Sequence, residues 1–145
     1  MGAVSIESDR PGLVTVQVKI RWVDEDGYGH VNNAVYLNYL EEARDRLTDD
    51  LFGDSSYDFV IARVCIDYKA EITHRDLTVE VDSWLTGHGL SSVRTAEEIR
   101  KPDGTVAARC QTVLVPRDAD AGGSRRLRLD EVSALCAAGS VGPRE

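Results

Sequence analysis

The sequence lacks several features that would assign it directly to a functional class. Its 145 residues include three cysteines, Cys65, Cys110 and Cys136, which form no CxxC pair and no spacing typical of a metal site. We therefore expect three buried free thiols and no bound metal or other cofactor. No run approaches the ~18 apolar residues of a membrane span, and the first residues lack a signal-peptide pattern, which predicts a cytoplasmic protein with no membrane partner.

Positive charge is also scarce. The chain has 17 Lys and Arg against 25 Asp and Glu, a formal net charge of -8, so the basic signature of a nucleic-acid partner is missing. With 42% hydrophobic and 29% charged residues, the composition is that of a globular domain large enough to bury one core. We expect a single domain over residues 1–145, with an N-terminal arm at 1–12 and a polar linker and short helix at 117–145.

Hydrophobic periodicity changes near residue 32 from that of a strand to that of a helix. Alternation over residues 13–22 predicts a half-buried strand, whose buried face holds Val14, Val16, Val18, Ile20 and Trp22. After Asn32 and Asn33, either of which is a competent helix N-cap, apolar residues recur at helical spacing. These apolar residues are Tyr36, Tyr39, Leu40, Ala43 and Leu47. The pattern predicts one long amphipathic helix that ends near Gly53.

The rest of the chain resembles a series of strands. Strands are predicted at residues 59–72, 77–85, 91–100 and 105–115, with a turn at Gly87-His88-Gly89 and another at Pro102-Asp103-Gly104. A short last helix is predicted at 131–138, capped by Asp130. This order of elements predicts an α+β fold in which one helix lies across an antiparallel sheet of about five strands.

The loop from Asp24 to Asn33 concentrates turn-forming and reactive groups. It suits a structural strand-to-helix connection, since Asp and Gly form turns and Asn caps helices. A calcium site of the EF-hand type is excluded because Val35 stands where the bidentate Glu is required. A zinc site lacks further ligands, and a serine or cysteine triad lacks a GxSxG elbow or a nearby cysteine.

An acyl-transfer site is the remaining alternative for this loop. A helix that begins near Asn33 directs its free backbone N–H groups and the positive end of its dipole into the loop. Those amides could stabilise an oxyanion, and Asp26 is close enough in sequence to act on the same carbonyl as general base or nucleophile. Gly27 and Gly29 allow the backbone to bend sharply.

The residues from Arg21 to Arg44, RWVDEDGYGHVNNAVYLNYLEEAR, resemble the signature of 4-hydroxybenzoyl-CoA thioesterase-like acyl-CoA thioesterases. The resemblance is specific over this segment and consistent in element order to about residue 116. It implies the hotdog fold, in which a curved antiparallel sheet wraps around one long helix. It also implies an acyl-CoA substrate, hydrolysis to free acid and CoA, and a homodimer or homotetramer. An acyl-carrier-protein thioesterase and a non-catalytic acyl-CoA-binding protein are the alternatives.

The resemblance also implies roles for individual residues. Asp26 matches the catalytic carboxylate, and Asn33 matches the position whose backbone N–H polarises the thioester carbonyl. His30 resembles the catalytic histidine of plant acyl-carrier-protein thioesterases, although Tyr28 stands where those enzymes have Asn. Glu41 matches the helix glutamate of the family and is expected to be buried beside a basic group. The expected substrate-binding residues are Gly29, Val31, Asn32 and Tyr36.

Overall fold

One long helix lies against a five-stranded antiparallel sheet in the computed structural model, which describes residues 9–143. The elements are β1 (Val14–Lys19), α1 (Asn33–Phe52), β2 (Phe59–Tyr68), β3 (Thr78–His88), β4 (Val93–Arg100), β5 (Val106–Pro116) and α2 (Leu129–Ala137). The strand order is β1-β3-β4-β5-β2, so β1 and β2 are the two edges of an open sheet. The predicted α+β fold, one long helix on about five antiparallel strands, is confirmed.

Helix α1 begins and ends where the sequence predicts. The Asn32 side chain accepts a hydrogen bond from the Ala34 amide at 2.9 Å, which is the geometry of an N-cap. Gly53 follows the last residue with φ 56°, a backbone conformation that glycine adopts without steric cost. At about 1.5 Å per residue the helix is about 30 Å long, enough to cross the sheet.

The inner face of the sheet packs against α1 in two groups of apolar residues. The first core cluster, near the start of α1, includes Val31, Tyr36, Tyr39, Leu40, Ala43, Ile72, Val79, Val81, Ile99 and Ala108. The second core cluster, near the end of α1, consists of Leu47, Leu85, Val93, Leu114 and Leu135. The five apolar helix positions predicted from periodicity are all buried. The side of α1 that faces the sheet was therefore correctly predicted.

Several predicted boundaries and exposures are wrong. Strand β1 ends at Lys19, and Trp22 lies 75% exposed in a short 3-10 turn, because the Arg21 amide donates to the Asp24 side chain and turns the chain away. Strand β2 ends at Tyr68, four residues before the predicted limit.

Strand β3 also differs, because it continues through Gly87 and His88, both predicted to form a turn. A shift of pairing register between Leu85 and Gly87 accommodates them, and the turn to β4 follows at residues 89–92.

The last helix and the cysteines require corrections too. Helix α2 begins at Leu129, so Asp130 is its second residue and not its cap; Arg128 is the cap residue, and its amide donates to Glu131 at 2.8 Å. All three cysteines are free, but only Cys110 is buried. Cys65 lies on the outer face of β2, the strand at the sheet edge.

The chain ends complete the fold. Residues 1–8 of the predicted N-terminal arm lie outside the described residues. Pro11, from the same arm, accepts a hydrogen bond from the Leu85 amide at 2.8 Å, so this part of the arm is attached to β3. Within residues 9–143, no helix combines the length and the hydropathy needed to cross a membrane.

Candidate functional site

The loop between β1 and α1 forms a small hairpin that ends at the start of the helix. The Asn32 amide donates to the Asp24 carbonyl at 2.9 Å, and the Asp26 amide donates to the His30 carbonyl at 2.9 Å. Gly29, at φ 90°, allows the chain to reverse between them. This pairing places Asp26 beside His30 and fixes both a few residues before α1.

The Asp26 carboxylate is held within the hairpin but remains accessible. One oxygen accepts a hydrogen bond from the Tyr28 amide at 2.8 Å, and the other lies 3.3 Å from His30 Nδ1. The Asp26 side chain is 21% exposed and that of His30 is 32% exposed, so water or a ligand can reach both. The second imidazole nitrogen of His30 lies 4.0 Å from Glu71. The structure therefore brings together Asp26 and His30, two of the residues for which the family resemblance implies a catalytic role.

The start of α1 presents one uncommitted backbone amide. The Ala34 amide donates to the Asn32 side chain, and the Val35 amide donates to the Asn32 carbonyl at 2.9 Å. The Asn33 amide has no acceptor among residues 9–143. Because it lies at the positive end of the helix dipole, it can donate to an oxygen that gains negative charge. Asn32 thus caps the helix and leaves this neighbouring donor free.

Asp24 anchors the hairpin, a role that was not predicted from the sequence. Its side chain is 1% exposed and accepts from the Arg21 amide at 2.9 Å and from the Tyr39 hydroxyl at 2.7 Å. Burial alone would raise the pKa of Asp24, but the hydrogen bonds from Arg21 and Tyr39 outweigh it and lower the pKa. Burial and the bond to Asp24 raise the pKa of Tyr39. The i,i+3 spacing of Arg21 and Asp24 was a signal for the local part of this anchor.

A second contact attaches the hairpin to a distant turn. Glu25 accepts a hydrogen bond from the His74 amide at 2.7 Å and also contacts the His74 ring nitrogen. Hydrogen bonds from the amide and the ring of His74 lower the pKa of Glu25. The partners are 49 positions apart, so no local pattern in the sequence identifies this contact.

Two of the predicted substrate-binding residues are buried and form hydrogen bonds with the segment before β3. Tyr36 is 3% exposed; its hydroxyl donates to the Ala70 carbonyl at 3.0 Å and accepts from the Ile72 amide at 3.2 Å. Val31 is 1% exposed, and its amide donates to the Ile72 carbonyl at 2.7 Å. Both residues therefore hold the segment before β3 against the hairpin. A direct contact of Gly29, Val31, Asn32 or Tyr36 with substrate stays a prediction.

Glu41 differs from the expectation. It is exposed within this chain and, among residues 9–143, has no ion-pair partner. The cause is its position on the helix, since Glu41 lies at the edge of the side that faces the sheet, where α1 and β2 leave a cavity open. Arg44, three residues later, is the buried charged residue, 3.6 Å from Glu97. A catalytic role for Glu41 stays a prediction.

The histidine, cysteine and carboxylate side chains between residues 9 and 143 were compared with the arrangement that a metal ion requires. Within the described range, no group of three or more of them is arranged to hold a metal ion. Around Asp26 the structure places a carboxylate, an imidazole and, at the start of α1, a free backbone amide. This set can activate water and stabilise an oxyanion.

Known proteins are similar to this chain in both sequence and fold. Residues 18–135 match the model of the thioesterase-like superfamily. Long-chain acyl-CoA thioesterase FadM of Escherichia coli K12 is 32% identical over 100 residues, which cover 63% of this chain and 74% of FadM.

Two solved structures have the same arrangement of helix and sheet. A thioesterase from Thermus thermophilus, in complex with coenzyme A and Zn, is 31% identical with a TM-score of 0.76, covering 90% of this chain and 96% of that one. A mutant 4-hydroxybenzoyl CoA thioesterase, bound to 4-hydroxybenzoyl CoA, is 13% identical with a TM-score of 0.74, covering 85% and 98%. The latter likeness shows the hotdog fold alone. With the family model matching more than half of its length, this chain belongs to the thioesterase-like superfamily.

Proposed function

We propose that this protein hydrolyses acyl-CoA thioesters, with Asp26 as general base or nucleophile and the Asn33 backbone N–H as oxyanion donor. The chain is a thioester hydrolase by family. The observation that supports the assignment of residues is the free Asn33 amide at the start of α1, immediately after the hairpin that holds Asp26. A base and an oxyanion donor are the two parts that acyl transfer to water requires.

The reaction follows from these two groups. The Asn33 amide donates to the thioester carbonyl oxygen as that oxygen becomes negatively charged. Asp26 takes a proton from water while the water oxygen bonds to the carbonyl carbon; the carbon–sulfur bond then breaks, and the CoA thiolate leaves and is protonated. Removal of one such donor from other enzymes costs roughly 2.7–4 kcal/mol of transition-state stabilisation. In the alternative, Asp26 attacks the carbonyl carbon, the carbon–sulfur bond breaks and the CoA thiolate leaves, and water then hydrolyses the resulting anhydride to the free acid and the Asp26 carboxylate.

His30 is given a supporting role in this proposal. Its Nδ1 lies 3.3 Å from the Asp26 carboxylate, and its ring is stacked on Tyr28 with 6.4 Å between ring centroids. These two contacts support an imidazole that orients the carboxylate. Glu41, which lines a cavity of 160 Å³ between α1 and β2, is proposed to act on the acyl group.

We also propose that the protein forms a homodimer or homotetramer. Strand β2 is an edge of the open sheet, and its apolar residues Ile61 and Tyr68 are 47% and 45% exposed. Unpaired strand edges with exposed apolar side chains favour pairing with another chain. The molar mass in solution, measured by light scattering, tests this part of the proposal; a monomer at micromolar concentration would contradict it.

The assignment of Asp26 is tested by Asp26→Asn. The amide keeps the shape and accepts the Tyr28 hydrogen bond but is a poor base and nucleophile, so we expect turnover to fall by about 10²–10⁴-fold. Thiol release should be followed over a panel of short, long and aromatic acyl-CoAs. Asp54→Asn, at an exposed position after α1, is the matched control and should retain wild-type turnover. Unchanged turnover in a folded Asp26→Asn variant would refute the assignment.

A further inference from the structure

A pair of buried charges crosses the space between α1 and the sheet. The side chains of Arg44 and Glu97 are 4% and 0% exposed, and Arg44 Nη2 lies 3.6 Å from Glu97 Oε1. Glu97 accepts further hydrogen bonds from Ser83 at 3.1 Å and Thr112 at 2.8 Å. The Arg44 Nε atom is buried and has no acceptor among the described residues. The carboxylate is therefore well satisfied, whereas the guanidinium is not.

The register of the sheet shows what this pair separates. Across β4, β5 and β2, the inner face has four successive rows: Ile99–Ala108–Tyr68, Glu97–Cys110–Ile66, Thr95–Thr112–Val64 and Val93–Leu114–Ile61. The first row belongs mainly to the first core cluster and the last row to the second. Glu97 and the two threonines occupy the middle rows, and Arg44 reaches them from the helix. This polar layer divides the apolar interior in two.

A strip of apolar side chains on the inner face of β2, which we call the trough, leads from the proposed reaction site to the rows of the polar layer. Helix α1 packs mainly on β1, β3 and β4, which leaves the inner face of β2 partly open. The Tyr68 hydroxyl donates to the Asn33 carbonyl at 2.9 Å, so this face begins beside the proposed oxyanion donor. Ile66 and Val64 follow along β2 and are half-buried. Beyond them lies the 160 Å³ cavity, which Arg44 and Glu41 line.

We propose that the Arg44–Glu97 pair sets the longest acyl chain that the enzyme accepts, an inference that rests on the proposed function. An alkyl chain that starts at the Asn33 amide and follows the trough contacts apolar side chains until it meets Arg44. To continue, it would have to displace one of two buried charges and leave the other without its partner, which is strongly unfavourable. Apolar binding therefore ends at the pair.

The length of this trough follows from helix geometry. Arg44 is eleven positions after Asn33, so at 1.5 Å per residue the two lie about 16 Å apart along α1. An extended chain advances about 1.2 Å per bond, so the trough holds at most on the order of a dozen carbon atoms, because the Arg44 side chain points back towards the start of the helix. For the wild-type enzyme we expect kcat/KM to rise with acyl length to a limit of at most about 12–14 carbons and then to fall, because each buried methylene adds about fourfold to binding until the limit.

The test is the double variant Arg44→Met/Glu97→Gln. It removes both charges together, and the carboxamide oxygen introduced at position 97 would still accept the hydroxyl hydrogen bonds, so no buried charge is left without its partner. We expect the chain-length limit to move by at least two carbons. kcat/KM for the first chains beyond the wild-type limit should rise about tenfold, through KM, because two more methylenes become buried. Rates should be measured below the micelle-forming concentration of each acyl-CoA.

A matched control separates this effect from a general loss of charge. Arg46→Met/Asp50→Asn removes an exposed ion pair, 3.5 Å apart, from the outer side of the same helix. It should leave the limit unchanged. A purely structural role of the buried pair would lower the activity on all chains without moving the limit, and that outcome would overturn the proposal.

The wild-type enzyme provides a second measurement if the double variant does not fold. A wild-type kcat/KM that continues to rise through 18 carbons would also overturn the proposal. Failure of the proposed function is recognised separately, because the wild-type enzyme would then hydrolyse no acyl-CoA of any length. Activity with an unmoved limit in the folded variant contradicts only the inference about Arg44 and Glu97.

Discussion

The hydrogen bond between Tyr39 and Asp24 offers a quantitative test of how the hairpin that contains Asp26 is held in place. It joins the middle of the first core cluster to the only carboxylate in the hairpin that is fully buried, at 2.7 Å. Tyr39→Phe removes the hydroxyl and nothing else. Arg21 remains as a partner of Asp24, so the carboxylate loses one donor and keeps its charge.

The expected cost follows from the charge of the acceptor. A hydrogen bond to a charged group contributes about 1.5–3 kcal/mol to stability, so we expect the free energy of unfolding to fall by about 2 kcal/mol. In a chain of this size, each kcal/mol lowers Tm by about 2–4 °C, which gives a decrease of about 4–8 °C. Urea unfolding monitored by tryptophan fluorescence, at fixed protein concentration, measures the first quantity, and calorimetry measures the second.

The dependence on pH distinguishes this hydrogen bond from packing. The pKa of Asp24 is lowered from 3.8 in the folded protein, in part by Tyr39, so its ionised form contributes stability above that value. This contribution is lost as pH falls through the folded pKa. The difference between wild type and Tyr39→Phe should thus be full at pH 7 and shrink below about pH 4.

A control and a refuting result complete the experiment. Tyr57 is 87% exposed, so Tyr57→Phe should leave stability unchanged. A loss below 0.5 kcal/mol in Tyr39→Phe, roughly the scatter of surface substitutions, would refute the anchoring role of Asp24. A loss of the same size at pH 3 and pH 7 would assign the effect to packing instead.

Two further predictions concern the ends of the helices. Asn32→Ala should lower the free energy of unfolding by about 1 kcal/mol because the Ala34 amide loses its acceptor, and Asn32→Ser, another capping residue, should restore most of the loss in urea unfolding. Glu131→Gln should lower the free energy of unfolding by about 3 kcal/mol, since Arg125 donates to this buried carboxylate at 2.7 and 3.1 Å. Burial raises the pKa of Glu131, but hydrogen bonding to Arg125 outweighs it and lowers that pKa from 4.5. The loss of unfolding free energy in Glu131→Gln should therefore diminish when unfolding is measured below that pH. A loss that does not change with pH would contradict the charged pair.

The structural features that were predicted correctly depend on residues that are close to one another along the chain. The cap at Asn32, the stop at Gly53 and the buried side of α1 all follow from residues within one or two helical turns. The sharp bend of the loop after β1 was also predicted, because Gly27 and Gly29 allow the chain to reverse within a few residues. The fold class followed from the order of the elements.

The contacts that were not predicted join residues that are distant along the chain. Glu25 is held by His74, and Asp24 by Tyr39 across the helix interface; neither pairing has a local pattern. Trp22 continued the alternation of β1 but lies outside the strand, because the Asp24 side chain accepts the Arg21 amide and bends the backbone. Alternation reports which side chains an extended chain would bury, and it does not show where the chain ceases to be extended.

Arg44 shows that one long-range contact, its ion pair with Glu97, can be recognised from the sequence pattern. It is four positions after Leu40 and three before Leu47, both buried, so helical spacing places it on the apolar side of α1. A charge there requires a buried partner, because an unpaired one is strongly destabilising. Glu97, two positions before the buried Ile99 on β4, meets the same criterion. A charged residue in phase with an apolar pattern is therefore a better guide to a buried pair than a charge at the edge of that pattern, and the exposed Glu41 on α1 illustrates the contrast.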